Sequence, residues 1–91
     1  MSTSMIFRVL DAQISDYALG ISPQFPLLSF LDRHQRGDWG MAAGNIRHQN
    51  DHAVRNGGEV VSRFQVGNYC LVIKSQVQSG FAQSRITIEL M

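Results

Sequence analysis

Three histidines and one cysteine offer most of the reactive chemistry in this sequence. His48 and His52 are four residues apart, which puts both imidazoles on one helical face, and His34 falls on a neighbouring segment; three such nitrogens could hold a zinc ion. The residues between His48 and His52 are Gln-Asn-Asp, so the catalytic zinc pattern, which needs a glutamate directly after its first histidine, is missing. A lone Cys70 cannot complete a structural cysteine site. The reading is therefore no metal and no cofactor, with the histidines as surface or partly buried imidazoles that make ordinary hydrogen bonds. Cys70 sits mid-strand among Tyr69, Leu71 and Val72, where a free thiol acts as a small buried hydrophobe and not as a nucleophile. No nucleophile elbow, phosphate-binding loop or dinucleotide fingerprint occurs, and Gly37, Gly40 and Gly44 follow a helix instead of opening one. No catalytic residue is assigned, and the protein is read as a non-enzyme.

Positioning these residues requires a small α+β domain spanning 1–91. The apolar group at 5–14 predicts an N-terminal strand. Ser15 to Pro26 carries Gly20, Pro23 and Pro26 and reads as a loop. From Pro26, the spacing of Leu27, Leu28, Phe30, Leu31 and His34 predicts a first short helix, closed by Gly37. A second begins near Met41 or Asn45 and ends at Asn56 before Gly57-Gly58, burying Ile46, Asn50, Ala53 and Val54. On its other face Asp51 stands four residues from both Arg47 and Arg55, a spacing for ion pairs.

Beyond Gly58 the period becomes two. Val60, Ser62, Phe64 and Val66 share one side of a strand, Gly67-Asn68 makes a hairpin turn, and Tyr69 to Lys74 forms the next strand. Ser75 to Gly80 reads as a polar connection, and a last strand alternates Ile86, Ile88 and Leu90 with Arg85, Thr87 and Glu89. The result is a C-terminal three-stranded antiparallel meander with the helices on one face, leaving Arg63, Lys74, Arg85 and Glu89 for the other.

At 91 residues the chain has material for one modest core, burying little more than ~60% of its extended surface. With 8 basic and 7 acidic side chains it lacks the strongly cationic surface of a phosphate-backbone binder, so direct nucleic-acid binding is disfavoured. One cysteine allows no internal disulfide, which suits a reducing cytoplasm. The uncharged run between Asp16 and Asp32 is broken by Gly20 and two prolines and is too short for a membrane helix. All basic residues except Lys74 are arginines, and Arg33, Arg36 and Arg47 cluster around the junction of the two helices.

The most distinctive segment lies at that junction: Leu31-x-x-His34-Gln35-x-Gly37-Asp38-Trp39-Gly40, followed by Asn50, Ala53, Gly57-Gly58 and Ser62-x-Phe64. Over residues 27–73 it resembles a family of small proteins carried on plasmids and other mobile elements, often labelled restriction-related or plasmid-related. The usual C-terminal part of that family is only faintly echoed by Val72 to Ser75 and by Arg85-x-Thr87. The resemblance implies a mobile-element protein that binds and inhibits a bacterial defence complex, such as a CRISPR effector or a restriction enzyme, in the host cytoplasm. Candidate partner-binding residues are Arg33, Arg36, Asp38, Trp39 and Arg47, of types suited to hot spots and to carboxylate or phosphate recognition. For Trp39 and Asp38 a structural reading stands beside this one: the indole fills the junction and Asp38 caps the second helix. The alternative function is a small nucleic-acid-binding or regulatory accessory protein, and a homodimer through a sheet edge is a further option.

Overall fold

The computed structural model describes residues 4–90. Strand β1 (Arg8–Ile14) is followed by helices α1 (Asp16–Ile21), α2 (Leu27–Gln35) and α3 (Gly44–Asn56), then by strands β2 (Gly58–Val66), β3 (Tyr69–Gln78) and β4 (Phe81–Leu90). The sheet order is β1-β4-β3-β2. The antiparallel meander is β2-β3-β4, and β1 lies parallel to β4, so the α+β sheet is mixed. Its inward side chains, Val60, Phe64 and Val66 on β2, Leu71, Ile73 and Val77 on β3 and Ala82 and Ile86 on β4, pack against Ala18, Leu27, Trp39, Ala42 and Ala53, which puts all three helices on one face.

Three elements differ from the sequence reading. Residues 16–21 form a helix where a loop is predicted. Ser15 accepts from the Ala18 N–H at 3.2 Å as N-cap and Asp16 occupies the first turn. The two prolines that argue against regular structure lie beyond its end. The β3 strand runs on through Gln78, because Ser75 and Val77 keep the two-residue period and face inward while Gln76 and Gln78 face out. Only Ser79 and Gly80 turn the chain, both at positive φ as a tight hairpin requires. Finally, β1 is shorter than predicted, and its pairing with β4 shifts between Val9 and Asp11; this bulge throws Leu10 outward to 67% exposure.

The β2 edge is closed by side chains and loop. Asn50, 1% exposed, accepts from the Val61 N–H at 2.9 Å and donates to the Val61 carbonyl at 2.8 Å, acting as one residue of a missing strand. Two residues along, the Arg63 N–H donates to the Trp39 carbonyl and the Arg63 carbonyl accepts from Met41 N–H. A dimer through this edge would have to displace both sets of bonds, while β1 forms the opposite edge of the sheet. Among the described residues no helix is long and apolar enough to cross a membrane.

Candidate functional site: the corner between α2 and α3

The distinctive segment forms a corner at which α2 meets β1, β2 and the start of α3, and each of its residues has a structural task. Gln35 Oε1 accepts from the Val9 N–H at 2.8 Å, and the Gln35 carbonyl accepts from Ile6 N–H, so this residue tethers the entry to β1. Gly37 turns the chain at φ 85° with Ile6 against it. Gly40 (φ 62°) lets the backbone meet Arg63; a Cβ there would overlap the Arg63 carbonyl oxygen and the Phe64 ring.

Trp39 is 4% exposed. Its ring stacks on Phe7 at a centroid distance of 6.5 Å and meets His34 edge-on at 5.7 Å, and its Nε1–H points to Asp51 Oδ1 at 3.4 Å. As a partner-binding residue it has almost no surface to offer, and the indole instead fills the helix–sheet junction. Asp38 does not cap α3, whose N-cap is Ala43 without a side-chain bond. It accepts from Arg33 Nε at 2.8 Å and from the Gly40 N–H at 3.0 Å. Partial burial pushes this carboxyl up, but the Arg33 hydrogen bond, the Gly40 N–H and the Arg33 and Arg47 charges together hold it below the usual carboxylate value.

The arginines are braced on the outside of the same corner. Arg33 lies with its guanidinium 4.6 Å from the Phe64 ring centroid and pairs with Asp38; both side chains are about half exposed. Arg36 pairs with Asp32 at 2.9 Å, one turn back on α2. Arg47 does not pair with Asp51. It donates to the carbonyls of Ala42 and Gly40, tying α3 to the loop before it. Arg55 reaches only the Asp51 carbonyl, so the predicted Asp51-centred ion pairs are absent among the described residues.

The three histidines are not brought together. His48 and His52 are exposed on α3, while His34 is fully buried inside. Sequence reasoning missed what His34 touches: Nδ1 meets Ser62 Oγ, Nε2 lies 2.7 Å from Ser75 Oγ, and Ser75 Oγ lies 2.5 Å from Ser84 Oγ. Ser62 Oγ also reaches the Asp38 carbonyl at 3.4 Å. One donor order uses every contact: Ser84 donates to Ser75, Ser75 to Nε2, Nδ1–H to Ser62, and Ser62 to Asp38 O. For Ser62 the signal was available, since it stands on the inward side of the predicted first strand and a buried hydroxyl must find a partner; Ser75 falls in the stretch read as a polar connection, and its inward position follows only from the longer β3.

Chemically the Ser75–His34 contact has the form of a nucleophile and its base. All its members are sealed between sheet and helices, however, and reaching Ser75 Oγ would require opening the core. Burial also holds the His34 imidazole down at about 4, so it is neutral at physiological pH. Its work is to join α2 to β2, β3 and β4 through polar bonds in an otherwise apolar layer. Cys70 is likewise buried, with Arg63 Nη1 3.9 Å from its sulfur. Compared with protein-family models, curated proteins and solved structures, the chain matches none.

Proposed function

We propose that this protein is a non-enzymatic binding protein of a mobile genetic element that inhibits a bacterial defence complex, of the CRISPR-effector or restriction-enzyme kind, by occluding one of its surfaces. The observation that carries the proposal is the braced corner: Arg33 and Asp38 stand about half exposed and Arg47 exposed on a segment whose backbone is held by Trp39, Gly40 and Arg63. Arginines fixed in place before contact lose less freedom on binding, and arginine is enriched among residues that dominate interfaces. Burial of His34, Ser75 and Cys70 supports a protein that acts by contact, because its reactive groups are spent on packing. The resemblance of residues 27–73 to small mobile-element proteins, read from the sequence, supplies the setting.

The test is expression in bacteria carrying one active defence system at a time, scored by phage plating and plasmid transformation. Tagged protein is also captured from nuclease-treated lysate of the same strains. Protection against one system, with its effector subunits retained and both effects lost in an Arg33→Glu chain that still folds by circular dichroism, is the expected result. Absence of protection across the panel, together with salt-sensitive binding to bare DNA or RNA, would overturn it in favour of the nucleic-acid accessory reading.

A further inference from the structure

The sheet face opposite the helices divides into two halves with different charge arrangements. Near the β2-β3 hairpin, Arg63 on β2 spans β3 and bonds Glu89 on β4 at 2.8 Å, and beneath that pair Cys70 and Val72 are buried although no helix covers them. The other half contains a hollow of about 330 Å³. Lys74 and Arg85 stand directly opposite each other in the β3-β4 register at its centre. Directly opposed like charges disfavour a strand pair. Neither side chain makes a hydrogen bond or ion pair to another described residue. The next rung along the sheet is Glu59, Gln76, Gln83 and Asp11, one from each strand, so amides adjoin the cations and a carboxylate stands at each outer strand.

This layout favours one class of ligand. The cation pair calls for a carboxylate, which Arg85 can grip with its planar fork and Lys74 with a point charge. The four charged groups of the hollow sum to zero, so a polyanion such as a phosphate ester would be repelled by Asp11 and Glu59 once the cations were satisfied. Those two carboxylates instead suit an ammonium group. The diagonal from Arg85 to Asp11 or from Lys74 to Glu59 spans about 7–8 Å between backbone positions, a separation that a short carbon chain bridges.

We propose that this hollow binds a small zwitterion, an amino acid or one of its chain-lengthened analogues, with its carboxylate between Lys74 and Arg85 and its ammonium at Asp11 or Glu59. The site is independent of the corner at α2 and α3 and of the partner proposed there. Amide and side-chain NMR shifts of the full chain test it, with glycine, β-alanine, γ-aminobutyrate, acetate, methylammonium and inorganic phosphate as probes. Saturable shifts confined to the residues that line the hollow, Glu59 of β2 included, are expected, strongest for one of the zwitterions and weaker for acetate. Lys74→Gln should weaken binding about tenfold, the size of one charge-assisted hydrogen bond. An Asp11→Asn, Glu59→Gln chain should bind the best zwitterion no better than acetate. All these positions are exposed, and preserved spectra elsewhere certify the fold. Phosphate binding tighter than every zwitterion, shifts unchanged by Lys74→Gln, or no saturable shift with any probe would overturn the proposal.

Discussion

On the covered face of the sheet, four polar side chains, His34, Ser62, Ser75 and Ser84, stand in the core and bond to one another in a continuous chain. On the open face, Lys74 and Arg85 stand side by side in water with no partner among the described residues, while Arg63 one rung away has Glu89. The contrast follows from solvent. A buried hydroxyl without a partner costs about 1–3 kcal/mol, so the covered face holds polar groups only where their bonds are complete. Water screens the open face, and an unpaired cation there costs little and stays available to a ligand.

Breaking the covered side should have the largest effects. Trp39→Ala removes the ring that joins Phe7 and His34 and is expected to cost about 3–5 kcal/mol, read as a lower urea midpoint; this is a large share of the total stability of a small domain. If the cost were small, the indole would not be holding the corner.

Acid should come next. The His34 proton affinity falls from 6.5 to about 4 on folding, so the unfolded chain takes up the proton first. Stability from this source is complete above pH 6.5 and is lost as pH falls through that range toward 4, by about 3 kcal/mol. Urea titrations at pH 7 and pH 4.5 should show the loss, and a His34→Gln chain should show less of it. Asp38, held below its usual value, adds a loss of the same sign at lower pH that remains in that variant.

At the closed sheet edge the effect is both energetic and architectural. Asn50→Ala strips two bonds from Val61 and should cost about 2 kcal/mol. It also uncovers the Val61 N–H and carbonyl on the strand edge while the Arg63 bonds stay, so the variant should associate more than the parent with rising concentration in light scattering.

The open face should respond least, and with opposite signs in its two halves. Arg63→Ala should lose less than about 1 kcal/mol, a difference that fades in high salt. Lys74→Glu, which turns a repulsive cross-strand pair into an attractive one, should gain about 0.2–1 kcal/mol. Equal signs for the two would remove the distinction between the halves.

The local rules of the chain were legible in residues alone. Alternation at 60–66 and the Gly67-Asn68 turn name the first hairpin, Pro26 and Gly37 bracket α2, and the Gly57-Gly58 stop ends α3, because each depends on neighbours within a few positions. The brief Ser15-capped α1 was readable by the same rule but overshadowed by two prolines that lie outside it. The candidate site was legible as a segment and not as a set of roles. Arg33, Arg36 and Arg47 stay on the surface, as their types suggest, but Trp39 goes inside, and Asp38 serves Arg33 and Gly40 instead of α3. Tertiary structure alone decided that β1 joins β4 in parallel, that Asn50 stands in for a strand at Val61, that His34 meets serines 28 and 41 residues away, and that Lys74 faces Arg85 across a rung. Composition and periodicity state which side chains must be buried or hydrated. Which distant partner completes a hydrogen bond, and which charges end up adjacent, depends on strand order and register, which are set by packing the whole core at once.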